Sequence, residues 1–318
     1  LIMGGIAGSL MTVLILIPLT GWRPGINFNF RQGRDLARYG MLVSANDILN
    51  YLKKQASVFI LSRTLGPASV GLFNKGSSLA QMPHSFITGS VYQVLFRSMA
   101  VEQDNIDKCR YLFYRSIALV AVYATPFYVG LLWLAEPMIR GVYGEKWIAA
   151  AGPLAILPLA WPFMLLENLS GAVLAARNWL GRELLVQSSA IIVISLAILI
   201  GLSNGIDGVA YAIVASSIFS GVYMYSLAVA SLKAKWSDCL RAVAPAAILN
   251  TTLAIVLYAL DSLIPVEYRE INLLYVAIMG FCGACAYAAS LLFFPIASLR
   301  SEQARWKKKL RLPMRSTE

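Results

Sequence analysis

In the stretch NDILNYLKKQAS, residues 46–57, the polar side chains of Asn46, Asp47, Asn50, Lys53, Lys54 and Ser57 recur among apolar ones. On a helix turning about 100° per residue they fall within a wedge of about 120°, while Ile48, Leu49, Leu52, Ala56, Phe59 and Ile60 cover the opposite side. Lysines in a low-dielectric cleft attract an anionic headgroup such as phosphate, and a carboxylate beside them can carry a coupling cation. Asp47 and Lys54 are about 10 Å apart along the axis, too far for the i,i+4 bridge that would neutralise both. A charge left in lipid costs at least about 2.5 kcal/mol. The stripe therefore requires a water-filled cavity, a partner helix across the bundle, or a helix placed so that the lysines snorkel out.

A second stripe follows in residues 71–95, where Asn74, Ser77, Ser78, Gln81, Ser85, Thr88 and Tyr92 lie within about 60° of one line and Lys75 lies at its side. Two consecutive helices with facing polar stripes and surplus positive charge describe a hydrophilic cavity, with Asn46, Asp47, Asn50, Lys53, Lys54, Ser57, Asn74, Lys75, Ser78 and Gln81 as its expected lining. Glu167, next to Asn168, has no basic partner at helical spacing; Asp47 and Glu167 are the candidates for proton or sodium coupling, and a packed structural role for Glu167 is the alternative. His84 is the only histidine, so a metal site is not expected and a satisfied core residue is. The pair Cys282 and Cys285 sits in an apolar run and reads as helix packing. No catalytic residue and no cofactor are expected: GxSxG, Walker and dinucleotide motifs are absent, and the longest external connections, 135–147 and 261–271, are short.

The elements that hold these residues are membrane helices. Of 318 residues 58% are hydrophobic and only 14% charged, with mean hydropathy +0.66, against about 25% charged in soluble domains. Apolar runs at 1–20, 39–60, 71–95, 111–134, 148–173, 184–202, 208–230, 242–260 and 272–294 predict an all-α polytopic bundle of nine spans. The tight SNGID turn at 203–207 predicts a hairpin, and Pro83, Pro126, Pro153, Pro158 and Pro162 interrupt their spans. The chain opens at Leu1 already inside an apolar run, which reads as the remnant of a longer bundle. Alternate connections collect Arg23, Arg31, Arg34 and Arg38; Arg97, Lys108, Arg110 and Arg115; Arg177 and Arg182; Lys233, Lys235 and Arg241; and the tail from Arg300 to Arg315. The other side holds only Arg63, Arg140, Lys146 and Arg269, so the positive-inside rule predicts a cytoplasmic C-terminus. The net charge of +11 thus describes topology and contact with anionic membrane lipid; no nucleic-acid partner is expected.

Residues 38–96, RYGMLVSANDILNYLKKQASVFILSRTLGPASVGLFNKGSSLAQMPHSFITGSVYQVLF, and 135–160, AEPMIRGVYGEKWIAAAGPLAILPLA, resemble Wzx-type polysaccharide flippases of the MATE-like superfamily, including Leu65-Gly66, Gly71-Leu72 and Pro83. Ser57 stands where many relatives carry aspartate, and Phe96-Arg97 replaces the usual Phe-Pro. The resemblance implies two six-helix lobes around a central cavity. Its implied division here is 1–20 as the last helix of a first lobe, 21–38 as a basic cytoplasmic linker, 39–230 as a six-helix second lobe, 231–294 as two added helices and 295–318 as a basic tail. It further implies flipping of undecaprenyl-pyrophosphate-linked oligosaccharide across the bacterial inner membrane, alongside a polysaccharide polymerase and a chain-length regulator. A MATE-like small-molecule exporter and a membrane-embedded glycan polymerase are the alternatives.

Overall fold

The computed structural model describes residues 2–20, 30–294 and 296–310. It is all-helical there, in the order α1 (Ile2–Thr20), α2 (Phe30–Thr64), α3 (Gly66–Pro83), a π-helical segment (His84–Thr88), α4 (Gly89–Val101) and α5 (Ile106–Tyr143). A 3-10 turn (Glu145–Ala150), α6 (Ala151–Ile156), a second 3-10 turn (Leu157–Ala160) and α7 (Trp161–Ala176) follow. The chain then runs through α8 (Leu180–Gly201), a 3-10 turn (Leu202–Asn204), α9 (Gly205–Leu232), α10 (Ser237–Leu263), α11 (Val266–Glu270), α12 (Asn272–Phe293), a 3-10 turn (Ala297–Leu299) and α13 (Arg300–Lys309).

Five stretches among the described residues are long and apolar enough to cross a membrane: Ile106–Tyr143, Glu145–Ala176, Leu180–Leu232, Ser237–Leu263 and Asn272–Phe293. The third contains the expected hairpin and so makes two passes. Its turn depends on Gly205, whose φ of +61° is costly for any residue with a Cβ, and Gly201 and Gly208 let the two backbones touch just beside it. The predicted spans 39–60 and 71–95 are helical as α2 and α3–α4 but fall outside the apolar class, because their polar stripes lower the hydropathy. Residues 10–20 form a shorter apolar helix.

The chain divides into two compact units, 1–41 and 42–318. The first comprises α1 and the opening of α2; residues 30–38 of the expected linker are helix, while 21–29 lie outside the described residues, as do Arg23, Arg311 and Arg315. In the second unit α5 is central. Asn105 caps its start by accepting a 3.0 Å bond from the Lys108 amide, and Gly144, at φ +88°, ends the helix. Its buried Phe113, Ile117 and Ile139 join one continuous core that includes Trp161, stacked on Tyr128 at 4.3 Å. α7 and α9 pack so closely that a Cβ on Gly221 would lie 2.5 Å from the Phe163 carbonyl oxygen.

Four of the five prolines expected to interrupt their spans fall at or beside breaks in regular α-helix, whereas α5 runs unbroken through Pro126. Pro83 supplies no amide to the Leu79 carbonyl, and the chain switches to π geometry in the next residue; Pro126 lies within α5, and Pro153, Pro158 and Pro162 fall in the broken stretch leading into α7. At one end of the bundle, arginines close helix termini whose last carbonyls have no intrahelical partner. Arg110 Nη2 donates to the carbonyls of Leu232 and Lys233, both at 3.2 Å, and Arg177 Nη1 donates to that of Gln103 at 2.6 Å. The cysteine expectation is corrected: Cys282 is half-buried and Cys285 exposed, while the intervening Gly283 makes the tight contact with Leu257 and Leu253. A residue without a side chain lets α12 approach α10, so packing selects Gly283 and leaves the thiols at the margin. Within the expected tail, 300–309 form a helix docked on the bundle.

Candidate functional site

The polar wedge of α2 divides into two sectors. Near its middle, Asn46 and Ser57 are each 4% exposed, and between them in sequence Lys53 points inward; Asp47 and Lys54, about 80–100° further round, are exposed, and Asn50 between the sectors is half-buried. The inner sector docks on α7 and α8. Asn46 Nδ2 donates to the carbonyl of Leu42 at 3.0 Å and to that of Leu180, at the start of α8, at 3.2 Å.

Lys53 Nζ lies 2.5 Å from Glu167 Oε1 on α7 and donates to Gln187 Oε1 on α8 at 3.0 Å. Gln187 Nε2 donates to Glu167 Oε1 at 3.4 Å, and Ser220 Oγ on α9 donates to Glu167 Oε2 at 2.6 Å. Four helices thereby converge on one carboxylate, and the lysine and glutamate side chains are only 14% and 16% exposed. Two ions removed from water are held by their attraction and by hydrogen bonds that occupy their remaining positions. Glu167 does have a basic partner, 114 positions away in sequence rather than at helical spacing. Intrahelical spacing cannot reveal such a pair.

Beside this network lies Glu183 on α8, 8% exposed, whose carboxylate makes no hydrogen bond or ion pair among the described residues. Gly171 on α7 leaves it room, since a Cβ there would sit 3.5 Å from Glu183 Oε1. The buried cluster therefore holds two carboxyl groups and one lysine. Glu183, Gln187 and Ser220 are absent from the sequence expectation. Their signal was available: Glu183 and Gln187, like Ser216 and Ser220, are spaced i,i+4 on otherwise apolar helices and share a face.

The second stripe also divides. Asn74, Ser78 and Gln81 are exposed, whereas Ser77 and Thr88 are buried. Ser78 Oγ returns a 2.6 Å bond to the Asn74 carbonyl, which leaves the amide side chain of Asn74 outward. Lys75 is half-buried over two aromatic faces, 4.6 Å from the centre of Tyr143 and 5.3 Å from that of Trp147. His84 meets Trp161 edge-on at 6.0 Å, and its buried Nδ1 has no partner among the described residues. No group of three or more metal-ligating side chains occurs among the described residues. The positive surplus expected on the two stripes is thus redistributed: Lys53 is neutralised by Glu167, Lys75 is occupied by rings, and Lys54 remains on the open face.

The fold and this site define a multi-pass helical membrane protein with a charged polar network buried between its spans. Residues 1–152 match the profile of a family described as polysaccharide biosynthesis protein. The lipopolysaccharide biosynthesis protein WzxC of Escherichia coli (strain K12) is 29% identical over 156 residues, 49% of this chain and 32% of WzxC. The teichuronic acid biosynthesis protein TuaB of Bacillus subtilis (strain 168) is 26% identical over 157 residues, again 49% of this chain and 32% of the relative. The succinoglycan biosynthesis transport protein ExoT of Rhizobium meliloti (strain 1021) is 23% identical over 145 residues, 46% of this chain and 29% of ExoT. Among solved structures, the lipid II flippase MurJ in an inward closed conformation matches with a TM-score of 0.59 over 85% of this chain and 53% of that one, at 17% identity, a likeness of fold. The matched segments span about a third of those curated proteins' length.

Proposed function

We propose that this chain serves the flipping of undecaprenyl-pyrophosphate-linked oligosaccharide repeat units from the cytoplasmic to the periplasmic leaflet of a bacterial inner membrane, by alternating access, for surface polysaccharide biosynthesis. The observation that carries this reading is that Asp47 and Lys54 on α2, and Asn74, Ser78 and Gln81 on α3, are polar side chains left exposed on helices of a membrane bundle. Polar groups at membrane depth need water, protein or a polar ligand opposite them. Lys54 holds the pyrophosphate as a point charge, the amides and hydroxyls meet sugar hydroxyls, and the polyprenyl tail stays in lipid. The exposed Ile48, Leu52 and Phe59 give α2 a lipid-compatible side for that tail.

Lys53 has a different role in this mechanism. Its bond to Glu167 joins α2 to α7, α8 and α9, so the helix bearing Lys54 moves with the bundle as one body. A proton or sodium ion taken up at the Glu167 and Glu183 cluster, with Asp47 at its open edge, balances the second buried carboxylate and couples transport to an ion gradient. The arginine-rich bundle end faces the cytoplasm together with the C-terminus, and a polymerase and a chain-length regulator receive the flipped units outside. The cluster's ratio of two carboxyls to one lysine also favours a second reading, an ion-coupled small-molecule exporter.

The test uses cells lacking the gene, complemented with wild type or Lys54→Ala, in which undecaprenyl-linked repeat units are assigned to leaflets. Accumulation in the cytoplasmic leaflet that wild type relieves and Lys54→Ala does not, at equal membrane levels of both proteins, is the expected result. Normal leaflet crossing with Lys54→Ala would remove the lysine from the path. Normal crossing without the gene would retire the flippase reading.

A further inference from the structure

α13 offers a site of another kind. Its positions Glu302, Arg305, Trp306 and Lys309 recur at i, i+3, i+4 and i+7 and share one face, which borders a cleft of about 280 Å³. The floor is apolar, formed by Ile87 and Val91 on the α3–α4 side and by Leu119, Val120 and Tyr123 on α5. The helix is fixed over it at several points. Arg115 Nη2 bonds Glu302 Oε1 at 2.8 Å, Tyr123 OH donates to Glu302 Oε2 at 3.3 Å, and Trp306 Nε1 donates to Tyr123 OH at 2.8 Å. Gln303, 9% exposed, donates to the Leu291 and Phe294 carbonyls at 3.0 and 2.6 Å, which pins the other side of α13 to the end of α12.

Glu302 is the only acid in α13, and Arg115 occupies it, so Arg305 and Lys309 stand at the rim with no carboxylate partner among the described residues. An apolar floor, an indole bonded at its edge and two cations above without a carboxylate, Arg305 and Lys309, the latter 5.4 Å from the centre of the Trp306 ring, match the three parts of a membrane lipid: chain, glycerol region and charged head. We propose that the cleft binds one anionic glycerophospholipid, with an acyl chain on Ile87, Val91 and Leu119 and the phosphate between Arg305 and Lys309. Such a lipid fastens α13 across α4 and α5 without touching the polar face of α2.

The test is native mass spectrometry of the purified full chain released from bilayers of phosphatidylglycerol and phosphatidylethanolamine with matched acyl chains. Wild type is expected to retain phosphatidylglycerol preferentially, and the double variant Arg305→Gln, Lys309→Gln to lose that retention about tenfold. Lys307→Gln, Lys308→Gln removes the same charge from the rest of α13 and is expected to retain the lipid. All these side chains lie outside the buried core, and equal thermal melting of the three proteins confirms intact folding. Equal retention of the two lipids, equal loss in both double variants, or displacement of phosphatidylglycerol by a polyprenyl phosphate at equal concentration would each overturn the assignment.

Discussion

Lys53 and Lys54 are adjacent in sequence, about 100° apart on the helix, and differently placed: one is held against Glu167 and the other is open. Removing one member of a buried ion pair strands its partner, which costs about 3–5 kcal/mol, whereas replacing both by apolar groups is often neutral. Lys53→Met is therefore expected to destabilise the chain by about that much, and Lys53→Met with Glu167→Leu to recover most of it, as read by thermal melting in detergent. A double variant no more stable than Lys53→Met alone would show that the pair is not the source of the loss. The polar wedge on α2 was legible in sequence because helical periodicity sorts residues by direction. Its division was not, since whether direction means cavity or neighbour depends on α7 and α8, more than a hundred residues downstream.

At the scale of elements, the approach of α9 to α7 sets the network's geometry. A valine at Gly221 meets backbone, not a yielding side chain, so the helices must part; overpacking of this kind costs about 1–3 kcal/mol. Ser220, the neighbouring residue, would then move away from Glu167. Gly221→Val is expected to lower thermal stability and abolish export, while Gly280→Val, on α12 with open space around it, should do neither; equal effects from both would refute the packing argument. The α8–α9 hairpin was legible from SNGID because its cause is local backbone chemistry. Helix α13 was missed because its basic composition satisfied a topological explanation, while its docking residues Glu302, Gln303 and Trp306 act through contacts with α5 and α12.

For the whole molecule, the proposed ion coupling rests on no single helix. The proposed ion site draws Glu167 from α7 and Glu183 from α8, and only Glu183 lacks a built partner for its carboxylate. Glu183→Gln keeps the shape and removes the charge, so it is expected to uncouple export from the ion gradient while leaving stability unchanged or raised. The measurement is repeat-unit export in cells with and without an ionophore, and export of the variant that collapses with ionophore as in wild type would exclude Glu183. The π segment His84–Thr88 bears on the same scale, because it accommodates an added residue between α3 and α4. One residue more or fewer there turns everything before it by about 100° relative to everything after, swinging Asn74, Ser78 and Gln81 off the open face. Chain length between Gln81 and Val91 is therefore as much a part of the sequence's message as the residues that fill it, and an insertion or deletion there would alter the face more than most substitutions.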